Sequence, residues 1–250
     1  MKAPEPLPPG VHTLAASHGS EGDGVEVFRL FPVPGRRWNL DPFVLFDHFH
    51  IAPGSGFPTH PHRGFEAITY VLAGAIRHRD NLGNDSITGV GGAQRFTAGR
   101  GLEHSEMPVG DCQGIQSWIN LPRALKDMAP DYQSVPPEDL PVRSFEGGER
   151  RIVVGEGSPL RLQTPVRYEI LRLVPGTNLD LEVPPGWQGL AYVLEGGVLF
   201  DGRPLAAREA GLFAGRERVE LTTGEQPAEV VWLAGQPHGE PLRQHGPFVD

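Results

Sequence analysis

Short stretches in which apolar and polar residues alternate, or in which apolar residues run together between turn signals, recur along this chain. Val25-Glu-Val-Phe-Arg-Leu-Phe31, Glu66-Ala-Ile-Thr-Tyr-Val-Leu72, Ile115-Gln-Ser-Trp-Ile-Asn-Leu121 and Arg151-Ile-Val-Val154 each read as a β-strand, because successive side chains of extended backbone point to opposite faces. Asn81-Leu-Gly83-Asn84-Asp85 and Val90-Gly91-Gly92 supply residues that tolerate positive φ, as tight turns between strands require. No long segment carries convincing helical periodicity. Many short strands punctuated in this way predict an all-β chain built as a barrel or jelly roll.

The pattern also repeats. Ile68-Thr-Tyr70-Val-Leu-Ala-Gly74-Ala-Ile76 recurs as Leu190-Ala-Tyr192-Val-Leu-Glu-Gly196-Gly-Val198, and Arg95-Phe-Thr-Ala98-Gly99-Arg100 is echoed in the same order by Gly211-Leu-Phe-Ala214-Gly215-Arg216. Two copies of one β-unit are implied. Lys126 to Arg143 is rich in proline, acidic and polar residues, which discourages a regular helix or a central strand, and the linker is placed there. The expected division is residues 1–135 and 136–250, two tandem jelly-roll β-barrels.

Composition agrees and narrows the setting. The 250 residues include 33 glycines and 26 prolines, about a quarter of the chain and scattered rather than clustered, as in a turn-rich β protein. The single cysteine, Cys112, excludes an intrachain disulfide framework, and Met1–Pro9 has no apolar run suited to a signal peptide, so a cytoplasmic location is expected. No run of apolar residues is long enough for a membrane span. A net charge of −9 argues against direct nucleic-acid binding, which needs clustered Lys and Arg.

Two segments hold most of the chemistry: Phe57-Pro-Thr-His60-Pro-His62-Arg-Gly64 and Leu102-Glu-His104-Ser-Glu106. In a strand, positions i and i+2 share a face at a spacing of ~6.6 Å, so two neighbouring strands of this kind would present His60, His62, His104 and Glu106 to one metal ion. His48 and His50 form a second His-x-His that spacing alone leaves open, but they lack a partner pair. Glu66 is either a fifth ligand or a partner for backbone amides or Arg63. Glu103 should face away from the metal, and Cys112 reads as a small buried hydrophobe. His12, His18, His238 and His245 read as surface or structural residues.

The surrounding residues resemble the cupin superfamily and, more narrowly, the pirin family. The resemblance rests on Asp41-Pro-Phe-Val-Leu-Phe-Asp47-His48-Phe49, Phe57 to Glu66, His78-Arg-Asp-Asn-Leu-Gly83-Asn84, Thr97 to Pro108, Trp118-Ile-Asn-Leu-Pro122, the second Tyr192-Val-Leu-Glu-Gly196 and Gly246-Pro-Phe-Val249. It covers essentially the whole chain. It implies two cupin barrels, with one divalent metal in the N-terminal barrel, Fe(II) by preference although Mn, Ni, Cu and Zn accept the same donors, and ligands at His60, His62, His104 and Glu106. Carrying the repeat offsets onto the second copy lands on Glu182, Pro184, Glu220 and Thr222, so no imidazole is expected there and the C-terminal barrel is expected to be metal-free. Pirins usually continue past Gly-Pro-Phe-Val into a tail, whereas this sequence reaches Asp250, so whatever such a tail covers is expected to be exposed or packed differently.

The activity implied is dioxygenation of quercetin or similar chelating phenolics with O2, Glu106 either holding the metal or taking the substrate's hydroxyl proton. The alternative is a non-catalytic, metal- or redox-dependent regulatory protein that binds a transcription factor or metabolic enzyme. A cupin-type isomerase of sugar phosphates would need a basic cradle, for which Arg63 and Arg100 are unconvincing. A monomer is expected.

Overall fold

The computed structural model describes residues 7–33, 35 and 39–250; most of Met1–Pro9, considered above for a leader, lies outside them. The first half contains β1 (Gly10–Ala15), β2 (Ser17–Glu21), β3 (Val25–Phe31), β4 (Phe43–Ile51), β5 (Phe57–His62), β6 (Phe65–Ala73), β7 (Ala75–Asp80), β8 (Asp85–Gly89), β9 (Ala93–Thr97), β10 (Leu102–Pro108), β11 (Cys112–Asn120) and β12 (Asp131–Val135). The second contains β13 (Val142–Phe145), β14 (Gly148–Val154), β15 (Val166–Leu173), β16 (Asn178–Glu182), β17 (Gln188–Glu195), β18 (Gly197–Phe200), β19 (Arg203–Ala206), β20 (Glu209–Ala214), β21 (Arg218–Thr223) and β22 (Ala228–Gly235), closed by the short β23 (Gln244–His245) and β24 (Phe248–Val249). The described residues hold no α-helix, and none of their helices is long and apolar enough to cross a membrane.

The duplication is visible in the pairing. A seven-stranded sheet of order β12-β9-β6-β11-β4-β3-β2 faces a four-stranded one, β5-β10-β7-β8, and the order recurs as β1-β20-β17-β22-β15-β14-β13 against β16-β21-β18-β19. Each pair of sheets is a jelly-roll barrel. Strand membership departs from chain order at one place: β1 pairs along β20 of the second barrel, and the equivalent edge of the first barrel, β9, is covered by β12. The proline-rich segment is therefore more than a connector. Its middle forms β12, a proline-free edge strand, and its prolines, Pro130, Pro136, Pro137 and Pro141, fall on either side of that strand.

The repeated glycine also has a physical reason. Gly74 and Gly196 both have positive φ, and a β-carbon at either would run into a backbone carbonyl, of Asp111 and Pro227 respectively. The two copies thus make the same tight turn against the same kind of neighbour.

Packing separates the two barrels chemically. The large sheets pack against each other over a shared core that includes Phe46, Ile68, Tyr70 and Ile115 from one side and Tyr168, Ile170, Leu190 and Tyr192 from the other. The interior of the second barrel is continuously apolar, with Leu171, Val193, Phe200, Phe213, Leu221 and Trp232 in one cluster. The first barrel's interior is filled by two clusters instead, one around Phe65, Phe96 and Trp118 and another around Val27, Phe49 and Ile51. Along its strands the inward positions read apolar, polar, apolar: Ala67, Thr69, Val71 on β6 and Leu45, Asp47, Phe49 on β4. A polar layer crosses the barrel there.

Candidate metal centre

Strands β5 and β10 pair antiparallel with His60 directly opposite His104 and Leu102 opposite His62. The register shifts between His104 and Glu106, so that Glu106 faces Phe57 across one extra residue of β5. This bulge sits on an edge strand carrying Pro58 and Pro61, where a missing N–H costs no ladder bond and where bulges re-aim side chains. The His60 ring folds back so that Nδ1 lies 2.8 Å from the Pro58 carbonyl. His62 Nδ1 lies 3.3 Å from the Pro247 carbonyl. A carbonyl can only accept, so both rings carry their proton on Nδ1 and keep a lone pair on Nε2.

The ligand atoms of His60, His62 and His104 lie within 4.8 Å of one another, and those of His78, His104 and Glu106 form a second group at the same limit. His104 is common to both. The His104 Nε2 is buried and has no hydrogen-bond partner among the described residues, which is costly for a polar atom unless a further group binds there. Burial pushes the His62 imidazole down to about 3 and His104 well below its ordinary value, with the neighbouring imidazoles adding to the effect. Both rings are neutral at pH 7, the form that ligates a cation. The three imidazoles of His60, His62 and His104 with a carboxylate nearby are a donor set that fits a divalent transition metal.

Glu106 is held differently from the histidines. Its Oε1 accepts from Gln94 Nε2 at 2.6 Å and Thr69 Oγ1 at 3.3 Å, and its Oε2 accepts from Gln116 Nε2 at 2.8 Å. Thr69 belongs to the polar layer noted above, and Gln94 on β9 and Gln116 on β11 extend it. The carboxylate is fixed by them on the side of His104 and His78 rather than against His60 and His62.

A cavity of about 910 Å³ opens onto this centre, with His60, His62, Glu106 and Gln116 in its wall beside Leu45, Phe57 and Trp118. Arg29 and Asp47 also line it, joined by a two-pronged ion pair of 2.8 and 2.6 Å. The segment Gln244–Pro247 supplies another wall. It is anchored by Arg63, whose N–H donates to the Pro247 carbonyl and whose carbonyl accepts from the Val249 N–H, and by Lys126 Nζ, which donates to the Gly64 and Val249 carbonyls and to Asn120 Oδ1 at 2.8–2.9 Å. Gly64 itself has positive φ and leaves no room for a β-carbon against the Val249 carbonyl.

The other candidates fall elsewhere. His48 Nδ1 is 3.1 Å from the Tyr192 hydroxyl at the seam between the barrels, and His50 bonds Asp111 at 2.7 Å near the surface. Glu66 is fully buried and accepts from Thr97 Oγ1 and the Gln163 amide, both at 2.8 Å, while Arg63 pairs with Asp250. Glu103 is exposed, on the opposite face of β10. Cys112 is buried, and its thiol is pushed up to about 12 by that burial, so it is inert. In the second barrel a correction is needed. The positions that answer to His60, His62, His104 and Glu106 are Leu181, Val183, Val219 and Leu221: with the Gly74 and Gly196 turns equated, Leu221 pairs Phe200 as Glu106 pairs His78, and Val219 pairs Leu181 as His104 pairs His60. Glu182, Glu220 and Thr222 lie one residue off, because loops of different length defeat a single offset and a one-residue slip reverses the face. Four aliphatic side chains offer no ligand atom.

The spacing argument did not single out His78, whose Nδ1 is 3.3 Å from His104 Nδ1. The signal for it was present: His78-x-Asp80 places two polar side chains on one face of β7, and Glu106 pairs directly with His78.

Comparison with known proteins gives a consistent result. The family model described as Pirin matches residues 24–119, and that of the Pirin C-terminal cupin domain matches residues 168–250. Pirin-like protein 2 of Arabidopsis thaliana is 38% identical over 255 residues, covering 96% of this chain and 79% of that protein. A pirin-like protein of Caulobacter vibrioides is 37% identical, with 98% and 93% coverage. The crystal structure of quercetin 2,3-dioxygenase from Acinetobacter baumannii superposes with a TM-score of 0.87 at 28% identity, covering 95% of this chain and 90% of that one.

Proposed function

The chain belongs to the pirin family, and from that premise we propose that it is a metal-dependent dioxygenase of the quercetin 2,3-dioxygenase type, acting on flavonols or similar chelating phenolics. Its metal is a divalent ion, Fe(II) by preference, held by His60, His62 and His104 with Glu106 at its side. The observation that carries this reading is the cavity of about 910 Å³ whose wall combines His60, His62 and Glu106 with the apolar faces of Leu45, Phe57 and Trp118. It is of the size that takes a flat, drug-sized molecule. The solved quercetin 2,3-dioxygenase with the same fold supports the choice of substrate class.

The metal, when bound, supplies Lewis acidity toward a substrate oxygen and a route for electrons to dioxygen. The chain's own residues do the rest. Trp118 and Phe57 flank the cavity and orient an aromatic ring system while excluding water. Glu106 accepts the proton of the substrate hydroxyl at Oε2, the oxygen whose partner Gln116 also lines the cavity. Gln94 and Thr69 keep the opposite oxygen engaged, so the carboxylate does not have to reorganise as it takes the proton.

The test is an anaerobic, iron-reconstituted sample mixed with quercetin and then exposed to air. Bleaching of the flavonol absorbance with release of carbon monoxide is expected; full metal occupancy without bleaching would overturn the reading.

A further inference from the structure

Behind His104 lies a buried pair to which the proposed reaction assigns no part. The side chains of His78 and Asp80 are both 0% exposed and meet at 3.1 Å, Nε2 to Oδ2. Asp80 is in turn wrapped by donors: Oδ1 accepts the backbone N–H groups of Leu82 and Asn84, each at 3.0 Å, and Oδ2 accepts Asn84 Nδ2 at 2.8 Å. A carboxylate bonded in this way is an acceptor, so the proton between it and His78 belongs to His78 Nε2. On its far side, His78 Nδ1 faces His104 Nδ1 at 3.3 Å.

Two facing nitrogens share one hydrogen. With the His78 proton committed to Asp80, that hydrogen sits on His104 Nδ1, and the remaining nitrogen of His104 is left with its lone pair. That nitrogen is the buried Nε2 with no partner among the described residues. The direction of every bond from the turn at Asn81–Asn84 to the metal centre follows from the first one. The rings are also held in place sterically. His78 stacks on Tyr132 at 4.0 Å and 14°, and the Tyr132 hydroxyl bonds Ser86 and Gln94.

We propose that His78 and Asp80 are positioning residues, a carboxylate–imidazole–imidazole relay that sets the tautomer of His104 and strengthens it as a donor to the metal. The effect on the metal rests on His104 being a ligand, whereas the tautomer does not. Such a relay differs from the anchoring of His60 and His62, which lean on backbone carbonyls; His104 leans on a charge through a second ring, and carboxylate-backed imidazoles bind metal more tightly.

Long-range ¹⁵N–¹H spectra of the histidine rings in the full-length, chelator-treated protein test the bond directions. His104 protonated at Nδ1 and bare at Nε2, with His78 protonated at Nε2, is expected; a His104 proton on Nε2 would overturn the relay. Zn(II) titration of Asp80→Asn and of His78→Phe, which keeps a ring against Tyr132, should show affinity about 10–100-fold below the parent at an unchanged circular dichroism spectrum. Folded variants that bind Zn(II) as tightly as the parent would also overturn it. Failure of the parent to bind Zn(II) would instead remove the metal centre and leave the ring spectra to decide the tautomer. Should either variant fail to fold, the spectra of the parent still settle the question.

Discussion

At the scale of single residues the metal centre is set by what holds each ligating side chain. His60 and His62 spend Nδ1 on the Pro58 and Pro247 carbonyls, and Glu106 spends both oxygens on Gln94, Thr69 and Gln116. Removing one member should therefore affect chemistry before it affects folding. His104→Ala is expected to lose stoichiometric metal and all turnover, measured by metal analysis and flavonol bleaching, with the fold retained at some cost in stability, since the buried His78 Nδ1 it faces loses its partner. Glu106→Gln is expected to keep the metal but slow turnover by about 100-fold or more, the usual range for loss of a positioned base. Rates unchanged in that variant would transfer the proton-accepting role to another group.

At the scale of elements, the site depends on how strands end and what covers them. The bulge between His104 and Glu106 lets an edge strand with two prolines present both of its histidines. The strand β23 and the turn after it wall the cavity, and Lys126 ties the adjoining β24, through the Val249 carbonyl, to Gly64 and Asn120 of the barrel. Lys126→Met should release that wall. Hydrogen bonds from a charged donor contribute about 1.5–3 kcal/mol each, and a net loss near ~2 kcal/mol would speed amide exchange of Val249 roughly 30-fold, read by mass spectrometry with little change elsewhere. The strand β1 makes a comparable prediction. Because it pairs with β20 in the other barrel, removing residues 1–15 should expose the β20 edge and loosen β17 and β20 by amide exchange while β6 and β9 stay protected.

At the scale of the molecule the two barrels share one seam, and a histidine is built into it. His48 is mostly buried there, bonded to Tyr192, and its imidazole is pushed down to about 4 by burial with the Arg208 charge adding to the shift. The unfolded chain takes up a proton near pH 6.5 that the folded one refuses until about pH 4. The corresponding stability is present in full above pH 6.5 and is lost as the pH falls toward 4. His48→Gln should thus narrow its stability deficit against the parent by about 2 kcal/mol between pH 7 and 4.5, measured by denaturant titration at both values; a deficit independent of pH would show that His48 titrates normally.

The sequence by itself determined the strands, their turns, the duplication and the His60, His62, His104 and Glu106 candidates, because alternation, glycine turns and i, i+2 spacing are local properties of extended backbone. The family was legible for the same reason, from motifs that lie within single strands and turns. Only the tertiary structure decided which barrel edge β1 would cover, which aliphatic residues replace the histidines in the second barrel, and that His78 and Asp80 stand behind His104. Those are matters of register between strands distant in sequence, where a shift of one residue exchanges interior for exterior, and no local pattern carries that information.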